Sequence, residues 1–368
     1  MVIKTITCQK VNNHGATLQA YALMHYLESL GNDVEIIDYV PERFNHFRPF
    51  VCSTEKYAKN VFLKIAYICA KFPSRFVGYL KYKNSLRKTN FENFWNKYYH
   101  LTKCYKTFDE LKNNPPEADL YIAGSDQIWN TMMENGKDPA YYLQFASNGI
   151  RATYAASFSV SEIPDELKNQ TKAFIKSIDY VSVREKSALK ILDDLEIKDA
   201  CVVLDPVFLL SREEWDFIES KMKFDDNYIL VYDFENSDSV KNFSLQYAKE
   251  NKVKIYSLYN NDYCDKSFED YGPDVFLSLI KNADFVVSNS FHATAFSVIY
   301  EKQFAVIKRQ ESINSRMTDL LDTFCINDRF TEKYRDFENI NYENVRQNIE
   351  SEIKKSKQFL DEVLEKSK

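Results

Sequence analysis

VIKTITCQKVNNHGATLQAYALMHYLESLGNDVEIIDY, Val2–Tyr39, is the stretch whose reading decides the fold. Val2–Thr7 alternates as a strand, and Asn12, Asn13, His14 and Gly15 form a loop. Ala16–Leu30 places Leu18, Ala22 and Leu27 at helical spacing, with Gly31 as a stop signal. DVEIIDY, Asp33–Tyr39, is a second strand. Strand, helix and strand in that order predict a parallel sheet covered by helices.

The pattern continues outward. ADLYIA (Ala118–Ala123), RATYAASF (Arg151–Phe158), YVSVR (Tyr180–Arg184) and ACVVL (Ala200–Leu204) read as strands, and Glu166–Ile178 as a helix. It restarts with YILVY (Tyr228–Tyr232), a helix over Ser239–Asn251, VKIYSL (Val253–Leu258) and a helix over Pro273–Asn282. Two α/β domains are expected, 1–210 and 211–335, with a helix over 336–368 packing back. The strand ends carry polar clusters at Asn12–His14, Gly124–Gln127, Arg184–Glu185, Asp205 and Ser288–His292. Such sheets bind ligands beyond the carboxyl ends of their strands, so these clusters are expected to line one cleft.

VVSNSFHATAF, Val286–Phe296, is the most chemically informative of these strand ends. It reads as a buried strand, a polar loop and a helix opening near His292. Free backbone N–H groups and the positive end of the helix dipole make such a corner a site for an anion. Ser288, Asn289, Ser290 and His292 add donors, and His292 can move a proton near neutral pH. The plainer alternative is that Ser290 only caps the helix and His292 merely occupies its first turn.

Composition narrows the classes. The chain has 368 residues, 45% hydrophobic and 28% charged, as in globular proteins. No apolar run approaches the roughly 20 residues needed to cross a bilayer, and the N-terminus has no signal-peptide pattern. Seven scattered cysteines without a CxxC pair argue against a disulfide framework and a zinc site, and suit the cytoplasm. Only seven glycines occur, and neither GxGxxG nor GxxxxGK[ST] is present.

Charge is uneven. Between Lys56 and Lys112 stand thirteen lysines and arginines against three acids, a net +10 in a chain totalling −6. The region 44–114 interleaves these with Phe, Tyr and Leu and reads as a helical insertion. A solvated helical face is the base expectation. Contact with an anionic membrane surface comes next, and nucleic acid last.

Six blocks now align in order: NNHGATLQAYAL (Asn12–Leu23), YIAGSDQIWN (Tyr121–Asn130), RATYAASF, YVSVREKSA (Tyr180–Ala188), VVLDPVFLL (Val202–Leu210) and ADFVVSNSFHATAFSVIYEKQFAV (Ala283–Val306). Together they resemble the polysaccharide pyruvyl transferase family over most of Met1–Leu321. The resemblance implies two Rossmann-like domains facing a cleft, similar to GT-B glycosyltransferases. It implies transfer of a pyruvyl group from phosphoenolpyruvate (PEP) to two hydroxyls of a sugar, forming a cyclic ketal. The acceptor would be a cell-surface polysaccharide or its lipid-linked precursor, met at the inner face of the membrane, with no cofactor beyond the donor. Rival expectations are a nucleotide-sugar glycosyltransferase of the same architecture and a non-catalytic membrane-surface protein.

The resemblance departs at two positions. Ala293 stands where many members have Gly, and Ser290 where the best-understood members have a donor-contacting Arg. Arg316 is a candidate replacement for that charge, with Lys308 and Arg309 as rivals. Arg184 matches the family motif arginine and is the expected carboxylate or phosphate clamp, against the alternative of a surface ion pair with Glu185 or Asp205. His292 is the expected acid, because a bound phosphate would keep it protonated. Asp126 or Glu185 would be the partner base, although Asp126 also fits a turn or cap. Asp205-Pro206 reads as a structural turn. Asn13 and His14 are expected against the acceptor sugar, and no metal constellation is seen.

Overall fold

Two parallel sheets with the same strand order build the molecule, in a computed structural model that describes residues 1–44, 61–309 and 314–367. The first half contains β1 (Val2–Ile6), α1 (His14–Ser29), β2 (Asp33–Tyr39), α2 (Val61–Lys83), α3 (Leu86–Tyr98), β3 (Leu101–Tyr105), α4 (Phe108–Asn113), β4 (Leu120–Ala123) and β5 (Ile150–Thr153). Then come α5 (Asp165–Ile175), β6 (Val181–Val183), α6 (Lys186–Asp194) and β7 (Ala200–Val202). The second half contains α7 (Arg212–Ile218), β8 (Tyr228–Tyr232), α8 (Asp238–Asn251), β9 (Lys254–Ser257), β10 (Lys266–Ser267), α9 (Pro273–Asn282) and β11 (Phe285–Ser288). It closes with α10 (Phe291–Ile299), β12 (Phe304–Ile307), α11 (Ser315–Thr323), β13 (Phe330–Thr331) and α12 (Tyr342–Lys366).

The first sheet runs β3-β2-β1-β4-β5 and the second β10-β9-β8-β11-β12-β13, with every pair parallel. Each is a Rossmann order. The chain works outward from its first strand on one side, then returns to the other side of that strand. The reversal falls between β1 and β4 in one sheet and between β8 and β11 in the other. Single bridges from Ala152 to Tyr180 and from Ala156 to Val183 append the β6–β7 pair to the first sheet. Central strands read as unbroken apolar runs because both faces are covered. All five residues of β8 and all four of β4 are buried.

The region 44–114 is helical over α2, α3 and α4, but Leu101–Tyr105 is an edge strand hydrogen-bonded beside β2. Two of its three inner residues, Lys103 and Cys104, are exposed, so the period-2 apolar signal is weak there. Lys56 and Lys59 lie outside the described residues. The segment is also less solvated than its charge suggests. Phe91, Phe94 and Trp95 of α3 are buried, Trp95 Nε1–H donates to Thr17 Oγ1 at 3.3 Å, and Tyr99 OH donates to the Thr17 carbonyl at 2.7 Å. Arg87 donates to the Asn12 carbonyl at 2.8 Å and to the Glu269 carbonyl, tying the two halves together.

One buried apolar cluster includes Ile3, Leu204, Trp215 and Phe296, so the halves share a core. The last helix packs across both halves, and its Tyr342 OH donates to the Lys302 carbonyl at 2.6 Å. Ser356 Oγ accepts the Leu204 N–H at 2.8 Å, and Leu360 and Val363 are buried. Among the described residues no helix is long and apolar enough to cross a membrane.

Candidate active site

Both reversals open onto one cavity of about 390 Å³. The loops after β1, β4, β8 and β11 all reach it, and its wall includes Asn13, Asp126, Gln127, Ser290, His292 and Arg316. Crevices where strand order reverses are the expected ligand sites of such sheets.

The loop after β1 is held by Gln19. Its amide nitrogen donates to Thr7 Oγ1 at 3.1 Å and its carbonyl oxygen accepts the Ser125 N–H at 3.0 Å. Asn13 Oδ1 caps α1 by accepting the Ala16 N–H at 3.1 Å. In the loop after β4, Gly124 has φ +130°, and a Cβ there would lie 2.1 Å from the Tyr154 carbonyl oxygen. Only glycine fits that approach. Asp126 follows in the left-handed region at φ 69°, which Asp tolerates better than most residues. Among the described residues its side chain makes no capping bond; it lines the cavity, with Oδ1 3.6 Å from Arg184 Nη2.

The loop after β11 opens α10. Ser288 Oγ donates to the Tyr232 carbonyl at 2.7 Å and accepts the Ser290 N–H at 2.9 Å. Asn289 Oδ1 accepts the Phe234 N–H at 3.0 Å, and its amide donates to Asp233. Ser290 Oγ caps the helix through the Ala293 N–H at 3.4 Å. The capping alternative therefore holds for Ser290, and it coexists with placement on the cavity wall. The first N–H groups of α10, at Phe291 and His292, have no hydrogen-bond acceptor among the described residues and could meet an anion. The His292 ring lies against α1: a Cβ on Gly15 would meet its Nδ1 at 2.1 Å.

Arg316, in the first turn of α11, reaches the same wall and is 6% exposed. With the Gln127 amide oriented to present its oxygen, Arg316 Nη2 and Nη1 donate to it at 2.7 and 3.1 Å. Its Nε has no partner among the described residues. Burial and the Arg184 charge lower its pKa to about 10, so it stays cationic at neutral pH. A buried cation thus lines the same cavity as Ser290, the position where the family pattern led to the expectation of an arginine. Lys308 is paired instead with Glu332 at 3.0 Å, and Arg309, also on the wall, with Glu235 at 2.9 Å.

Four expectations are corrected by the structure. His14 is fully buried, stacked on Phe276 with ring centroids 5.0 Å apart and packed on Phe91, so it cannot touch an acceptor. Burial, reinforced by the Arg87 charge, lowers its pKa well below the usual histidine range. Glu185 is 1% exposed and off the cavity wall. Its Oε1 accepts Ser157 Oγ, Phe158 N–H and Ser159 N–H at 2.9, 3.0 and 3.1 Å, so it organises a loop. Ser288 is likewise committed to backbone partners. Arg184 is not on this wall; its Nη1 donates to Asp205 Oδ2 at 2.6 Å and its guanidinium lies 4.4 Å from the Phe291 ring centre. It lines a neighbouring cavity of about 350 Å³, which shares Phe291 and Arg316 with the first. The ion-pair alternative for Arg184 therefore describes its contacts, although the pair is buried.

Asp205, read as a turn residue, is more than that. Its Oδ1 accepts the Val207 N–H at 3.2 Å, as a turn would require. Its Oδ2 also accepts Ser125 Oγ at 3.3 Å and stands 3.5 Å from His292 Nε2. Burial alone would raise its pKa, but His292 and Arg184 outweigh burial and hold the carboxyl well below its usual range. The strand-end position of Asp205 was the available signal. The facing of β7 and α10 that brings it to His292 is long-range and left no local pattern.

The chain belongs to the polysaccharide pyruvyl transferase family, whose pattern matches residues 13–311. Among solved structures it is similar to UDP-GlcNAc 2-epimerase from Neisseria meningitidis bound to UDP-GlcNAc, at 12% identity and TM-score 0.45, covering 98% of this chain and 93% of that one. It is similar to UDP-GlcNAc 2-epimerase from Methanocaldococcus jannaschii, at 12% identity and TM-score 0.44, covering 95% and 92%. A third is E. coli heptosyltransferase WaaC with ADP-2-deoxy-2-fluoro heptose, at 9% identity and TM-score 0.38, covering 84% and 90%. At these scores the fold rests on the strand orders given above. No curated protein matches the chain.

Proposed function

We propose that this transferase moves a pyruvyl group from PEP to two hydroxyls of one sugar, forming a cyclic ketal and releasing phosphate. The observation that carries the reading is the grouping of Arg316, His292, Asp126 and the open N-terminus of α10 on one cavity wall at both strand-order reversals. PEP carries up to three negative charges, and a desolvated arginine with helix N–H groups suits such an anion.

In this reading Arg316 and the Phe291 and His292 amides hold the donor. His292 gives a proton to the PEP methylene carbon, C3, and the first sugar hydroxyl adds to C2 while Asp126 takes its proton. Phosphate leaves with that proton. The second hydroxyl then adds to C2 and returns a proton to His292. One hydroxyl proton thus ends on the new methyl group and the other on phosphate, and both side chains are restored. The acceptor is a sugar of a cell-surface polysaccharide or its lipid-linked precursor, and the enzyme works in the cytoplasm at the inner face of the membrane. Asn13 is placed to meet the acceptor. The reading calls on no cofactor.

The test is to incubate the protein with PEP and candidate sugars and follow phosphate. Release that depends on both substrates, and falls by about 100-fold or more in His292→Ala, is expected. Nucleotide release from a nucleotide sugar, with none of phosphate from PEP, would overturn the reading in favour of a glycosyltransferase.

A further inference from the structure

We infer that Asp205 is a positioning residue: it fixes the His292 ring so that Nε2 carries the permanent proton and Nδ1 is the nitrogen that meets substrate. This rests on the proposed role of His292 as proton donor. The two ring nitrogens have different surroundings. Nε2 is buried, stands 3.5 Å from Asp205 Oδ2, and has no hydrogen-bond partner among the described residues. Nδ1 packs beside Gly15, occupying the space that the missing Cβ leaves, but unlike Nε2 it is not fully enclosed, and its ring borders the cavity.

The character of Asp205 settles which nitrogen is protonated. The residue is 1% exposed, and its Oδ2 already accepts from Arg184 Nη1 at 2.6 Å and Ser125 Oγ at 3.3 Å. Each of those contacts brings a donor to the carboxylate. A bare Nε2 lone pair turned toward that oxygen would set two acceptors against each other in a buried place, where an unmet acceptor is costly. An Nε2–H turned the same way gives a charge-assisted hydrogen bond after a shift of a few tenths of an ångström. Arg184 supports the arrangement from the far side. It keeps the carboxylate ionised and anchored, and it rests against Phe291, the residue before His292. During turnover the imidazolium passes its Nδ1 proton to C3 of PEP. The ring remains neutral with its other proton on Nε2, and Nδ1 then accepts the proton of the second hydroxyl.

The experiment is nitrogen NMR on protein labelled with 15N-histidine. The chain has five histidines, and His292→Gln identifies the relevant signals by their loss. In the neutral ring the wild type should show a protonated Nε2 and a bare Nδ1; the opposite tautomer overturns the inference. In Asp205→Leu no acceptor is left opposite Nε2, so the ring should lose its preference for the Nε2–H tautomer. Phosphate release by that variant should lose about 100-fold in kcat, with KM for PEP changed by no more than about threefold. A variant that keeps both the Nε2–H tautomer and the wild-type kcat also overturns it. Should the variant fail to fold, the wild-type spectrum decides alone. Absence of phosphate release by the wild type would sink the PEP reading but leave the tautomer measurable, so the two failures are told apart.

Discussion

At the scale of single residues, the site depends on small groups in tight places. Gly15 is the clearest. A methyl at its Cα would meet His292 Nδ1 at 2.1 Å, and the helix backbone behind it cannot retreat without moving α1. Gly15→Ala should therefore displace the His292 ring and lower kcat by about tenfold or more, at a stability cost of roughly 1–3 kcal/mol. Steady-state phosphate release and a thermal melt check the two effects. The Asp205–Arg184 pair makes a different demand. Both side chains are buried, so Asp205→Ala leaves an uncompensated guanidinium and should cost about 3–5 kcal/mol at pH 7. The Asp205 carboxyl titrates lower in the folded protein than in the unfolded chain. Its contribution is thus fully present above the unfolded pKa of about 4 and is lost as pH falls below the usual carboxylate range. Denaturant melts of both proteins at pH 7, 5 and 3.5 should show a difference that persists at pH 5 and narrows only at the acid end. The acidity of this carboxyl was illegible in the sequence, because Arg184 and His292 lie 21 and 87 positions away along the chain.

At the scale of elements, β8 and α9 have the bounds their sequence pattern predicts, and α8 nearly so. Each is a buried apolar run or a sharply bounded periodic segment. The edge strand β3 was hidden, since an edge strand needs little apolar alternation and its neighbours are aromatic and basic throughout. The same region separates two roles for its charges. Arg87 joins the halves, and Lys88 pairs with Glu92 on the helix surface, so both charges already have partners within the chain. Lys71, Lys81 and Lys83 are exposed on α2, the helix that also exposes Ile65, Val77 and Leu80. If this helix meets an anionic bilayer, reversing those three lysines to Glu should weaken binding to phosphatidylserine vesicles by about 1 kcal/mol per charge. Co-sedimentation at fixed ionic strength measures it, and unchanged binding would leave α2 as a solvated face.

At the scale of the whole molecule, the site belongs to neither half alone. α1 of the first sheet packs against α10 of the second, and Arg87, α3 and α12 hold the halves in that register. A ligand that bridges the cavity should therefore stabilise the whole protein. PEP at 100 times its Kd should add about 2.7 kcal/mol and raise the melting temperature, whereas UDP or GDP should not. A thermal shift with nucleotide and none with PEP would count against the donor assignment.

The sequence by itself determined the alternation of strands and helices, the parallel order, the family and the strand-end clusters, because periodicity and turn chemistry are local. It placed His292 at a helix opening and Asp126 at a turn for the same reason. Only the tertiary structure decided which clusters share a wall. It buried His14 in an aromatic stack, withdrew Glu185 and Ser288 into loop scaffolding, tied Arg184 to Asp205, and brought Arg316 onto the cavity wall that Ser290 also lines. Those outcomes depend on how two sheets face each other. The contacts that set that facing are long-range packing, and no window of sequence contains them.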